Sequence, residues 1–251
     1  QADYQFASSS DGLTIYVTDT RNNFVDTITG VESLRFDDGD IGVSLDANGM
    51  VLTGSNGPDS IQVVGSIPIT IKAGAGDDTV EGDTIDDLIF GQDGDDTIDG
   101  NAGDDTITGG AGDDTIDGGA DDDIAVFAGN QSDYTFESSA DGLTVTITDT
   151  VNNDIDTVTG VETLRFDDGD IAVSLDANGL VLTGDTIGDD ITIVRSVPVT
   201  VVGADGDDDI VGGSGNDIID GNAGADTITG GAGDDTIDGG ANNDIAVFAG
   251  N

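Results

Sequence analysis

The side chains of this chain that could do chemistry are aspartates, which recur at intervals of nine residues. Each of them follows a short turn of glycines and small polar residues and precedes a Thr-Ile or similar pair. The recurring residues are Asp78, Asp87, Asp96, Asp105, Asp114 and Asp123, then Asp208, Asp217, Asp226, Asp235 and Asp244. Regularly spaced carboxylates are oxygen ligands suited to a hard cation.

The amino-acid composition limits which metals the chain can bind and which partners it can have. The chain has no Cys and no His, which excludes disulfides, zinc sites, thiol nucleophiles and Ser-His-Asp triads and leaves calcium as the metal. It carries 53 acidic against 5 basic side chains, a net charge of -48, so nucleic acid is excluded as a partner. No stretch is long enough to span a bilayer, and no membrane insertion is expected. No signal peptide is visible, so we expect targeting information to lie elsewhere.

The aspartates belong to a nonapeptide repeat, which is clearest over residues 91–123: GQDGDDTID, GNAGDDTIT, GGAGDDTID and GGADDD. Glycine stands first, Gly or Asp fourth and Asp sixth. Because glycine accepts positive φ and close backbone approach, the first six residues of each block predict a tight turn. The last three predict a minimal strand whose middle residue points inward.

These blocks resemble the RTX, or haemolysin-type, calcium-binding repeats. The resemblance implies an all-β fold, in which two blocks complete one coil of a right-handed parallel β-roll. Turns two blocks apart then stack on the same edge. In the family a calcium ion lies between stacked turns, bound by both sixth-position aspartates and by turn carbonyls.

The resemblance also implies the ligand set. It pairs Asp78 with Asp96, Asp96 with Asp114, Asp105 with Asp123, Asp208 with Asp226, Asp217 with Asp235 and Asp226 with Asp244. Asp59 and Asp189 could close one more site each, whereas Asp87 lies in a turn with Asp83 and Ile85 where glycines are expected, so its pairing with Asp105 stays open. The turn residues of the set are Gly91, Asp93, Gly94, Gly100, Ala102, Gly103, Gly109, Ala111, Gly112, Gly221, Ala223, Gly224, Gly230, Ala232 and Gly233. The fifth-position residues Asp95, Asp104 and Asp113 are expected to be solvated turn residues.

The elements that must position these turns come in two copies. Residues 1–81 recur at an offset of 130 and the later blocks at 121, so the second copy lacks one nonapeptide, residues 82–90. Period-two alternation predicts antiparallel β cap or connector elements at 1–53 and 131–183, followed by rolls at 54–130 and 184–251. Residues 247–251 repeat 126–130, which indicates a segment of a longer tandem array; two modules ending there by chance is the alternative.

Three classes of function compete. The first is a calcium-dependent structural segment of a secreted adhesin or extracellular filament, and the tandem duplication favours it. The second is a non-catalytic folding and secretion module of an exoenzyme exported by type I machinery. An enzyme using paired carboxylates is not supported, because each aspartate cluster is explained by a turn.

The partners expected are calcium ions, further copies of the unit and cell-surface or matrix components, and carbohydrate binding by the antiparallel elements stays open. The resemblance places the protein outside, or on the surface of, a Gram-negative-type bacterium. Aspartates stacked at strand spacing repel one another, so folding and metal binding should be one equilibrium.

Overall fold

The computed structural model describes residues 4–8, 15–19, 24–29, 33–35, 40–45, 49–64, 68–139, 143–176, 179–194 and 197–248. Over these residues the chain is all-β, apart from one 3-10 turn at Gln131–Asp133. No helix within them is long and apolar enough to cross a membrane. The chain divides into two compact units, Gln1–Val126 and Phe127–Asn251.

Unit 1 contains fourteen strands in its described part, most of them three to six residues long. They are β1 (Tyr4–Ser8), β2 (Ile15–Asp19), β3 (Phe24–Ile28), β4 (Ser33–Arg35), β5 (Asp40–Leu45), β6 (Met50–Thr53), β7 (Ser60–Val63), β8 (Ile69–Ala75), β9 (Thr79–Glu81), β10 (Leu88–Asp93), β11 (Thr97–Asp99), β12 (Thr106–Ala111), β13 (Thr115–Asp117) and β14 (Ile124–Val126).

The strands of unit 1 form two sheets, with the orders β13-β11-β9-β7-β1-β2-β3 and β14-β12-β10-β8-β6-β5-β4. From β7 to β14, successive strands alternate between the sheets, and neighbours within a sheet are parallel. Thr97 pairs with Thr115 and Ile98 with Ile116, so one coil consumes two nonapeptides. This confirms the predicted all-β parallel roll.

The core of the roll in unit 1 consists of one column of inward-pointing side chains from each sheet. In each three-residue strand only the middle side chain points inward, which gives Val80, Ile98 and Ile116 from one sheet. The other sheet contributes Ile89 and Ile107 in the same way. All of these side chains are buried, and β-branched residues suit this position because they pack well on a pleated surface.

The antiparallel strands of unit 1 are continuous with its roll. β1, β2 and β3 form an antiparallel run, and β1 pairs in parallel with β7 through Phe6 and Val63. β4, β5 and β6 form the second run, and β6 pairs in parallel with β8. Each antiparallel run therefore extends one sheet of the roll that follows it in the chain.

Unit 2 repeats this plan. Its described strands are β15 (Tyr134–Ser138), β16 (Thr144–Asp149), β17 (Ile155–Thr159), β18 (Thr163–Arg165), β19 (Asp170–Asp176), β20 (Gly179–Thr183), β21 (Asp190–Thr192), β22 (Thr200–Val202), β23 (Asp209–Val211), β24 (Ile218–Asp220), β25 (Thr227–Thr229), β26 (Thr236–Asp238) and β27 (Ile245–Val247). The roll strands form the parallel orders β20-β22-β24-β26 and β21-β23-β25-β27. β15 to β17 and β18 to β20 are the antiparallel runs.

The base of unit 2 is held by aromatic packing. Phe127 lies 5.7 Å from Tyr134 and 5.5 Å from Phe166, measured between ring centroids. Phe136 packs against Phe166 at 6.0 Å and joins the roll by a parallel bridge to Ile193. Aromatic packing therefore links the antiparallel strands of unit 2 to the start of its roll.

Candidate metal centre

The sixth-position aspartates lie in the turns between roll strands, and most are buried. Those buried are Asp59, Asp78, Asp87, Asp96, Asp105, Asp114, Asp123, Asp189, Asp208, Asp217 and Asp226. Asp235 and Asp244, in the last turns, are half-buried. Carboxylates are rarely buried unless they are paired or bind a metal, so a row of them needs a physical explanation.

One oxygen of each aspartate is used by the backbone. The N–H of Asp78 donates to Oδ1 of Asp96 at 2.8 Å, and the N–H of Asp96 donates to Oδ1 of Asp114 at 2.8 Å. The N–H of Asp105 donates to Oδ1 of Asp123 in the same way. The result is a hydrogen-bonded row of aspartates with a step of 18 residues along each edge of the roll.

The rows contain the predicted pairs. Hydrogen bonds of this kind join Asp59 to Asp78, Asp87 to Asp105, Asp189 to Asp208, Asp208 to Asp226, Asp217 to Asp235 and Asp226 to Asp244. The structure therefore brings together the aspartates that the resemblance pairs. Their role as calcium ligands remains a proposal.

The second carboxylate oxygen of these aspartates, Oδ2, is the atom best placed to bind a cation. In Asp78, Asp96, Asp105, Asp208, Asp217 and Asp226, Oδ2 is buried and accepts no hydrogen bond. A β-carbon added to Gly91 would overlap Oδ2 of Asp96, and one added to Gly100 would overlap Oδ2 of Asp105. Oδ2 therefore points back over the first residue of its own turn, where only glycine leaves room. A buried carboxylate oxygen without a partner is costly, and a bound cation would remove that cost.

The turn backbone supplies further oxygens. Gln92 and Asn101, at second positions, have φ of 86° and 75°, and Gly94 and Gly103, at fourth positions, have φ of 129° and 116°. The carbonyl of Asp93 accepts the N–H of Gly76 at 2.7 Å and keeps a second lone pair. The carbonyls of Ala111 and Ala223 are used in the same way.

Side chains alone do not provide a complete coordination sphere for one metal ion in the described residues. Within the described residues no group of three or more Asp, Glu, His or Cys side chains is gathered to hold one ion. Calcium takes six to eight oxygens and accepts carbonyls readily. The remaining ligands would come from turn backbone, for which the candidates are the first-, third- and fourth-position residues Gly91, Asp93, Gly94, Gly100, Ala102, Gly103, Gly109, Ala111, Gly112, Gly221, Ala223, Gly224, Gly230, Ala232 and Gly233.

Burial makes the charged rows unfavourable without metal. Burial raises the pKa of Asp105 to about 8, partly opposed by the hydrogen bond from the Asp87 backbone, and the charges of Asp87 and Asp123 raise it further. Burial likewise raises the pKa of Asp87 to about 7. The same cause raises the pKa to about 6 in Asp78, Asp96, Asp189 and Asp217. Without metal, burial therefore keeps these carboxyls protonated to a higher pH than an exposed aspartate.

The fifth-position aspartates have a role that the sequence did not predict. They are exposed, as expected. The carboxylate of Asp77 nevertheless accepts the N–H of Asp95, and that of Asp95 accepts the N–H of Asp113. The carboxylate of Asp86 accepts the N–H of Asp104. These bonds form a second row, on the solvent side, that runs in the opposite direction.

Comparison with known families matches the RTX calcium-binding nonapeptide repeat in four copies, at residues 70–89, 90–125, 202–237 and 211–246. Among solved structures, the chain is similar to the extracellular lipase LipA from Serratia marcescens, with 25% identity and a TM-score of 0.25. That match covers 65% of this chain and 29% of the lipase chain, so the chain spans less than a third of the solved protein. A search of curated proteins found no match.

Substituting two adjacent aspartates should have very different effects on calcium affinity. Asp114→Ala removes the buried acceptor of the Asp96 N–H, which alone costs about 1–3 kcal/mol, so apparent calcium affinity should fall on the order of tenfold. Asp113→Ala changes an exposed side chain and should leave affinity nearly unchanged. Calorimetric calcium titration of the two variants measures this, and superimposable titration curves would refute the sixth-position register.

Low pH should partly substitute for calcium in stabilising the fold. Because the folded state raises the pKa of the buried aspartates above the ordinary value of 3.8, protonation stabilises the metal-free fold. This stabilisation is complete below about pH 4 and is lost as the pH rises through about 6 to 8.

In EDTA, the β signal in circular dichroism and the denaturation midpoint should therefore rise between about pH 8 and pH 5. Asp105→Asn, which is neutral and keeps an Oδ1 acceptor, should raise the midpoint at the higher pH and reduce the pH response. A metal-free chain that loses stability on this acidification contradicts the prediction.

Proposed function

We propose that this chain, which carries RTX calcium-binding nonapeptide repeats, is a structural segment of a secreted protein that folds and stiffens when calcium binds after export. The observation that carries the proposal is the buried row of aspartates whose Oδ2 atoms accept no hydrogen bond. The net charge of -48 also supports the proposal, because the many like charges of the calcium-free chain repel one another and oppose compaction.

Calcium suits the turns better than magnesium does. The available ligands are one carboxylate oxygen per turn and backbone carbonyls fixed by left-handed residues such as Gln92 and Gly94. Calcium accepts many oxygens in flexible geometry, whereas magnesium demands a near-ideal octahedron and keeps its waters. Bound calcium would supply positive charge between carboxylates and turn carbonyls, and it would thereby join stacked turns into one rigid edge.

Repetition favours a load-bearing role in an adhesin stalk or extracellular filament. Each unit has its own roll and its own antiparallel runs, and both units contain rows of buried aspartates. One roll would be enough to assist folding after secretion, so a duplicated unit points to length and stiffness. The partners proposed are further copies of the unit in tandem, with cell-surface or matrix components as the adhesion target.

A non-catalytic folding and secretion module of a type I-exported exoenzyme is the alternative. Both proposals predict calcium-triggered folding outside a Gram-negative-type cell, and both assign no catalytic residue to this chain. They differ in the full-length protein. Further copies of the unit on both sides support the stalk or filament, whereas a single catalytic domain joined to these repeats supports the module.

Calcium should control folding at extracellular concentrations. At neutral pH and low salt, EDTA should abolish most of the β spectrum in circular dichroism, and calcium at about 0.1 to 1 mM should restore it. Magnesium at the same concentration should restore little. Since cytosolic calcium is far lower, such a chain would stay unfolded before export. A β spectrum that chelation leaves unchanged would sink the proposal.

A further inference from the structure

Three sixth-position aspartates differ, in what Oδ2 contacts, from the six whose Oδ2 accepts no hydrogen bond. Oδ2 of Asp87 accepts the N–H of Asp83 at 3.1 Å, four residues earlier in the same turn. Oδ2 of Asp189 accepts the N–H of Asp185 at 3.0 Å. The N–H of Ser55 donates to Oδ2 of Asp59 at 2.5 Å. In each case the donor is the second residue of the nonapeptide.

The second residue also differs in backbone conformation. Where Oδ2 accepts no hydrogen bond, the second residue has a positive φ: Gly74 122°, Gln92 86°, Asn101 75°, Ala204 78°, Gly213 98° and Asn222 63°. Ser55, Asp83 and Asp185 do not have positive φ. We define an open turn as one with a left-handed second residue and an Oδ2 without a hydrogen bond. The turns of Asp59, Asp87 and Asp189 are the closed turns.

A closed turn is a poor cation site. Its Oδ2 already faces an N–H, whose positive end opposes a cation at the same place. Its Oδ1 accepts a hydrogen bond as in the open turns: Asp87 accepts the N–H of Ile69 at 3.0 Å, and Asp189 accepts Nε2 of Gln131 at 2.8 Å. Both carboxylate oxygens of these two closed turns are therefore hydrogen-bonded. A cation would have to displace these bonds, whereas an open turn offers an oxygen with no bond to lose.

The closed turns occupy the start of their rows. Among the residues that the structure describes, Asp59 and Asp87 are the first aspartates on the two edges of unit 1, and Asp189 is the first on one edge of unit 2. In the row bond of Asp189, the buried side chain of Gln131 takes the place of a backbone N–H from an earlier turn. Its Nε2 donates to Asp189, and its Oε1 accepts the N–H of Asp190 at 2.9 Å.

We infer that the conformation of the second residue selects which turns take calcium, and that the turns of Asp59, Asp87 and Asp189 are metal-independent starting turns. Calcium binding then begins at the next aspartate on each of these edges, Asp78, Asp105 and Asp208. This inference rests on the proposed calcium-binding function and divides the sixth-position aspartates into two chemical classes. In the starting turns the chain's own N–H and amide groups satisfy the carboxylate.

Counting ions in matched variants tests the assignment. Equilibrium dialysis of the full chain at saturating calcium, with circular dichroism to verify folding, gives the number of ions bound per chain. Asp189→Ala should bind as many ions as the unaltered chain, whereas Asp208→Ala should lose at least one. Asp59→Ala and Asp78→Ala form the corresponding pair in unit 1.

Opening a closed turn is the complementary experiment. Ser55→Gly makes the turn read Gly-Gly-Asn-Gly-Pro-Asp, with glycines at the first, second and fourth positions as in the turn of Asp114. This variant should bind one additional ion. Gln92→Val, which disfavours positive φ in an open turn, should bind one fewer.

The outcomes separate the two claims. An ion lost in Asp59→Ala or Asp189→Ala, or none gained in Ser55→Gly, overturns the assignment of the starting turns while calcium binding itself stands. If the unaltered chain binds no calcium, the proposed function fails instead.

Discussion

The structure depends on the burial of a row of carboxylates at the spacing of stacked β-strands. Neighbouring strands lie about 4.8 Å apart, so turns that stack on one edge bring like charges close together. Along the rows, a buried aspartate uses Oδ1 to accept an N–H from the turn stacked before it, as Asp96 does for Asp78. In the open turns Oδ2 is left over, and a cation is the partner that both neutralises the row and satisfies that oxygen.

The sequence predicts much of the roll and its rows of aspartates. The period of nine predicts a turn and a short strand with one inward residue per block. The all-β roll, the two-block coil and the aspartate pairs are what the resemblance to RTX repeats implies. The positive φ of Gln92 and Asn101 has no comparable signal beyond the general tolerance of polar residues for the left-handed region. The hydrogen bond from Gln131 to Asp189 joins residues 58 apart and depends on how β15 meets the roll.

The antiparallel segments were the least predictable part of the fold. Alternation predicts strands at 1–53 and 131–183 and assigns them to cap or connector elements. In the structure, β1 and β6 are paired in parallel with the first roll strands of their own unit, so the sheets run through without a break. Parallel pairing between distant segments leaves no local pattern in the sequence. The consequence is that the packed antiparallel strands lead directly into the closed turns, from which the proposed calcium-binding rows extend.

The most direct test of this account is to locate the ions. A crystal grown with calcium, with data collected for anomalous scattering, would place each ion relative to the aspartates. The account predicts ions beside Oδ2 of Asp78, Asp96 and Asp105 in unit 1 and of Asp208, Asp217 and Asp226 in unit 2, with none beside Oδ2 of Asp59, Asp87 or Asp189. Ions absent from the first six positions, or bound equally at all nine, would contradict it.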